Sequence, residues 1–193
     1  AMNPVIFEFG PFEIRWYGIL MALAFLLGYA IFRRIAKEDM DKELIDLYFV
    51  YMIIGLIAGA RIGEVVFYDP SYYFHHPLEV LMIWHGGLSS HGAFIGGIIA
   101  TLIFCRRHKL KFYRVADLIV VPVALGAAFI RIGNFTNGEI VGRVTNVPWA
   151  ARFEGWQGMR HPSQLYEAAK NVIIFMLLLK IRGIEKLPDG FVF

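Results

Sequence analysis

Five long runs of apolar residues, at positions 16–32, 46–68, 88–104, 115–130 and 165–181, constrain this protein more than anything else in it. The hydrocarbon layer of a bilayer is ~30 Å thick, and about 20 helical residues cross it. A helix also satisfies its own backbone hydrogen bonds where no water is present. Composition agrees: 58% of residues are hydrophobic, 18% are charged and the mean hydropathy is +0.55. Ordinary soluble domains have roughly 45–50% apolar and ~25% charged residues. The expected class is therefore an all-α polytopic membrane protein. A single membrane-embedded domain over residues 1–193, with five transmembrane helices, is the economical arrangement. Gly55, Gly59 and Gly63 in the second run, and Gly92, Gly96 and Ala100 in the third, recur every four residues. Such rows let neighbouring helices approach closely. The run 78–84 is too short to cross, so a short interfacial helix is expected there, after the aromatic, turn-rich loop 69–77. Pro122 is tolerated as a kink in the fourth span.

The net charge of +3 and pI of about 9.0 admit a nucleic-acid partner at first sight. The placement of the charge excludes it. Arg33, Arg34, Lys37 and Lys42 follow the first run. Arg106, Arg107, Lys109, Lys111 and Arg114 follow the third, and Lys180, Arg182 and Lys186 close the fifth. Twelve of the 19 basic residues thus occupy alternate loops, the pattern of cytoplasmic loops facing anionic lipid. The N-terminus, the segment 86–91 and the polar segment at about 131–162 are then predicted on the opposite, external face. Cys105 is the one cysteine, so no intramolecular disulfide forms. The start of the sequence lacks both a basic lead and a small-residue cleavage site, so no cleavable signal peptide is expected.

The polar segment opens on Arg131, Asn134, Asn137, Glu139, Gly142 and Arg143, directly after the fourth apolar run. Ionisable groups at the edge of a span are costly and mark sites. A planar, permanently charged guanidinium suits bidentate phosphate binding, and Arg131 is favoured for that role over simple snorkelling to the headgroups. Arg143 divides evenly between a site and an ordinary loop residue. Glu139 is as readily a neutralising partner as a catalytic group. His91 follows a Gly/Ser-rich stretch at the external mouth of the third span and is poised for proton transfer near neutral pH. His85 lies six residues before it, out of register for a shared metal site. Arg61 and Glu64, three apart in the second span, are expected to form a structural ion pair. Asp117 and Glu167 start their spans and are read as caps or anchors. A small anion transporter or channel lined by Arg131, Arg61 and Glu64 is the alternative reading, although only the second span offers a charged pair at mid-bilayer.

The sequence Arg131-Ile-Gly-Asn-Phe-Thr-Asn-Gly-Glu-Ile-Val-Gly-Arg143 resembles that of the bacterial prolipoprotein diacylglyceryl transferases. So do His161-Pro-Ser-Gln-Leu-Tyr-Glu167, Gly86-Gly-Leu-Ser-Ser-His-Gly92 and Trp16-Tyr17-Gly18, in the same order over essentially the whole length. Ile130 and Thr136 depart from the family pattern. The family normally has seven spans, so truncation at the C-terminus is the expectation here. The resemblance implies transfer of a diacylglyceryl group from phosphatidylglycerol to the lipobox cysteine of a prolipoprotein signal peptide, releasing glycerol phosphate. It implies His91 and Arg131 as catalytic residues. By the same resemblance Arg131, Arg143, Asn134, Asn137, Glu139, Gly142 and Tyr17 bind substrate, and no metal or other cofactor is needed. The implied location is the bacterial inner membrane, with the site toward the periplasmic face among membrane lipids.

Overall fold

The computed structural model describes residues 2–83, 86–182 and 190. Trp84 and His85, and Lys186 of the last basic cluster, lie outside the described residues. Among the described residues, six α-helices carry the fold, preceded by one hairpin. The hairpin pairs β1 (Val5–Phe9) with β2 (Phe12–Arg15), antiparallel, around Gly10 at φ +59°. The helices are α1 (Trp16–Ala36), α2 (Lys42–Gly63), α3 (Pro70–His75), α4 (Ser90–His108), α5 (Phe112–Asn137) and α6 (Ser163–Arg182). A π-helical turn, Glu64–Tyr68, extends α2, and a 3-10 turn, Pro77–Leu81, stands where the short interfacial helix is expected.

The five apolar runs are helical, the third from Ser90 onward. Among the described residues, three helices are long and apolar enough to cross a membrane: Trp16–Ala36, Lys42–Tyr68 and Phe112–Asn137. At 19 and 20 residues, α4 and α6 are not among them. Their ends are polar, with His91 and Arg106–Arg107 in α4 and Gln164, Glu167 and Lys170 in α6. Leu26, Ile54, Ile62, Phe94, Ile173 and Met176 are exposed along these helices. Apolar side chains covering helix exteriors over such lengths need lipid rather than water as their solvent. The protein is a multi-pass membrane protein.

Contacts divide the molecule into two units, Ala36–Ala116 on one hand and Ala1–Ile35 with Asp117–Phe193 on the other. The central unit is built on the predicted glycine rows. A Cβ added to Gly59 would lie 2.3 Å from the Gly92 carbonyl oxygen, and one added to Gly96 would lie 2.1 Å from that of Gly55. The backbones of α2 and α4 therefore touch along this seam. Below it, buried Tyr48 meets Thr101 through a 2.8 Å hydrogen bond, and its ring packs on buried Phe104. Both helices are capped by side chains: Asp41 accepts from the Leu44 N–H at 2.8 Å and Ser89 from the Gly92 N–H at 3.1 Å. Loss of such a cap costs roughly 1 kcal/mol. Beyond α4, Arg114 pairs with Asp39 at 2.8 Å.

In the other unit, Gly28 of α1 faces Pro122 of α5, where an added Cβ would sit 3.7 Å from the proline Cβ. Buried Leu118, Val121, Ala128, Phe153 and Ala168 form its core.

Candidate functional site

The site is assembled where α5 ends and α6 begins. The fourth apolar run stops at Ile130, but the helix continues for two more turns, so Arg131, Asn134 and Asn137 project from α5 itself. The backbone turns only at Gly138, which adopts φ +68°. There the Gly138 N–H donates to the Phe135 carbonyl at 3.2 Å, and the Glu139 N–H to the Asn134 carbonyl at 2.9 Å. These paired bonds close the helix with a glycine in the left-handed conformation, a standard C-terminal device. The turn folds Glu139 back over the helix end. Its carboxylate then accepts from the Asn134 amide at 3.0 Å.

The segment after Glu139 returns to the same place. Val144 and Ala151 both bridge to Arg160, and the His161 N–H donates to the Arg143 carbonyl at 3.0 Å. Gly142 backs directly onto His161, and an added Cβ would sit 2.5 Å from the His161 carbonyl oxygen. The glycine therefore serves a close backbone approach within the protein. Pro162 then precedes α6, whose opening two turns offer Gln164 and Glu167 on one face. Buried Gln164, 1% exposed, donates its side-chain amide to the Glu139 carbonyl at 2.7 Å.

Arg131 lies between these elements. Its Nε donates to Glu167 Oε2 at 2.7 Å, and its Nη1 to Asn134 Oδ1 at 3.4 Å. The side chain keeps 32% of its surface exposed and that of Glu167 keeps 43%, so the guanidinium is held but not enclosed. Tyr17, at the start of α1, packs its ring on Gly133, where an added Cβ would be 2.6 Å from the ring carbon Cδ2. The structure thus brings together Tyr17, Arg131, Asn134 and Glu139, and adds Glu167 and Gln164. Sequence reading took Glu167 for a cap or anchor and passed over Gln164. The three-residue spacing of the two was the signal, because it places both on one face at the start of α6.

Two candidates stand apart from this network, and a third belongs to the other unit. Asn137 lines a cleft of about 60 Å³ with Met2, Pro4, Arg152 and Phe153, and its Oδ1 is buried with no partner among the described residues. Arg143 is exposed, and its guanidinium has no partner among the described residues. His91 belongs to the central unit, exposed in the first turn of α4.

The anticipated Arg61–Glu64 ion pair is replaced by another arrangement. Arg61 is 5% exposed and donates to the carbonyls of Val80 at 2.8 Å, Gly86 at 2.8 Å and Gly87 at 2.9 Å, and to that of Glu79. It also stacks over the Tyr73 ring. The reason is geometric: the segment 79–87 brings four carbonyls within reach of one guanidinium, which satisfies donors a single carboxylate would leave over. Arg61 is therefore not free to line an ion pathway.

The sequence is similar to those of known proteins. The family model for prolipoprotein diacylglyceryl transferase matches residues 4–193. The phosphatidylglycerol–prolipoprotein diacylglyceryl transferase of Tolumonas auensis is 43% identical over 99% of this sequence and 76% of its own length. That of Nitrosomonas europaea is 42% identical over 97% of this sequence and 69% of its own, and that of Geobacter sulfurreducens is 41% identical over 100% and 75%. The match covers all the clustered residues at the junction of α5 and α6, and the protein belongs to the prolipoprotein diacylglyceryl transferase family.

Proposed function

We propose that the protein transfers the diacylglyceryl group of phosphatidylglycerol to the thiol of a lipobox cysteine in a prolipoprotein, with Arg131 as the group that receives the departing phosphate. The observation that carries this reading is the part-exposed guanidinium of Arg131, oriented by Glu167 and Asn134 yet open on its remaining edge. A thiol has an ordinary pKa of ~8.5, so a base takes its proton as sulfur attacks, and His91 is assigned that role. The sulfur forms a bond to the glycerol carbon while the bond from that carbon to the phosphate oxygen breaks. The electron pair leaves on the phosphate, which departs as glycerol phosphate. Donors aimed at charge that develops during the step stabilise it more than the resting substrate. Asn134 and Glu139 fix the guanidinium, Tyr17 seats the helix end, and Gly142 closes the base of the loop. Arg143 supplies a second cation for the headgroup, and Asn137 lines the adjacent cleft.

Both substrates are held in the membrane, which accounts for a site at the end of a spanning helix. Five transmembrane helices, an interfacial 77–81 turn and a site on the periplasmic face of the bacterial inner membrane complete the reading. The alternation of basic loops supports this orientation. The anion-transporter alternative has no support from the relatives, which are transferases by name. The test is reconstitution in vesicles with labelled phosphatidylglycerol and a lipobox peptide. Label appears on the peptide cysteine and glycerol phosphate is released in equal amount. Absence of transfer from an intact, folded protein overturns the proposal.

A further inference from the structure

Arg131 has one close partner and one distant one, and the donor each uses has a consequence. A guanidinium can offer a paired set of N–H groups along its side edge, from Nε and one Nη, or along its end, from both Nη atoms. Glu167 takes Nε at 2.7 Å. Asn134 touches Nη1 only at 3.4 Å, near the limit of a hydrogen bond. The carboxylate is not a loose surface partner, because α6 docks through Gln164 three residues earlier, and that amide is tied to the Glu139 carbonyl. The start of α6 therefore fixes both the arginine and the turn behind it. The geometry points to Glu167 as a positioning residue that occupies the side edge of Arg131 and leaves the Nη1/Nη2 end to face the lipid phosphate. This inference rests on Arg131 being the phosphate-binding group.

Charge gives the inference a distinctive signature. A carboxylate next to a phosphate site weakens resting anion binding, since like charges repel. Its benefit can only lie in orientation during the reaction. Glu167→Gln therefore lowers kcat by about tenfold or more, as misplacement of a reacting group does. The affinity for glycerol phosphate, measured by titration calorimetry, stays equal or rises. The melting temperature in detergent changes little, and Glu167→Asp, one methylene shorter, recovers only part of kcat. A kcat equal to that of the unmodified protein overturns the inference. So does a joint fall of kcat, glycerol phosphate affinity and melting temperature, which marks a merely structural carboxylate. Arg131→Lys is measured alongside. If that variant keeps full kcat, the assignment of Arg131 itself fails. If it loses kcat while Glu167→Gln does not, only the role given to Glu167 fails.

Discussion

Arg61 and Arg131 sit in comparable sequence settings, each late in an apolar helix and near glycines, and the structure uses them in opposite ways. Arg61 is 5% exposed and its donors end on backbone carbonyls of the segment 79–87. Arg131 has one carboxylate and one distant amide, with 32% of its side chain open. Carbonyls are fixed, neutral acceptors that a ligand cannot displace without unfolding the segment. A carboxylate on one edge leaves the other edge available. Partner type and remaining surface, rather than the presence of an arginine, separate a clamp from a site.

Exchanging each arginine for lysine is the strongest way to break this comparison. Arg131→Lys keeps the charge but loses the fork, and transfer falls by ~10²–10³-fold, the effect of removing one oxyanion-stabilising donor. Its melting temperature stays near that of the parent. A transfer rate equal to the parent's would erase the distinction. Arg61→Lys does the reverse, because a single ammonium cannot serve carbonyls arranged around a fork. Unsatisfied buried acceptors cost about 1–3 kcal/mol each, so stability in detergent unfolding drops by on the order of 3 kcal/mol.

A smaller effect sharpens the picture of the central unit. In Gly59→Ala the new methyl group meets the Gly92 carbonyl oxygen at 2.3 Å. Overpacking of this kind costs about 1–3 kcal/mol, and the same unfolding assay reads about 2 kcal/mol.

The smallest concerns the segment held by Arg61. The Tyr72 hydroxyl donates to Glu79 at 2.5 Å, and this bond, with the charge of that carboxylate, raises the Tyr72 pKa above the ordinary 10.0. The folded form thus favours the protonated phenol. Its contribution is complete below the ordinary value of 10.0 and is lost as pH rises through the folded value. The difference in tyrosinate absorbance between the protein and Tyr72→Phe locates that titration above the ordinary value, and Glu79→Gln returns it toward 10.0.

The helices were legible because apolar runs and basic loops state the periodicity of a membrane protein directly. The α2–α4 seam was legible too, since a glycine every fourth residue has one use between packed helices. Arg131, Asn134 and Glu139 stood out by density of polar groups after an apolar run. What stayed hidden depended on distance along the sequence. Glu167 lies far beyond Arg131, and only the return of the loop brings them together. The fate of Arg61 was hidden for the same reason: its partners are backbone atoms, which carry no mark in a sequence. The extension of α5 through Asn137 was missed because polarity was read as the end of the helix, whereas Ile132 and Phe135 keep the apolar rhythm and only Gly138 stops it.

The pinch between Gly142 and His161 separates the loop into a base and a tip. At the base the backbone is pinned on both sides, by the Arg143 carbonyl and by a contact too tight for any side chain at position 142. The tip does not hang free: buried Phe153 meets the ring of Phe135 on α5 at 5.6 Å, and the Trp149 indole N–H donates to the Tyr166 hydroxyl on α6 at 2.6 Å. The loop is thus stitched to both helices between its ends, and a change of its length around Trp149 and Phe153 pulls directly on the junction of α5 and α6.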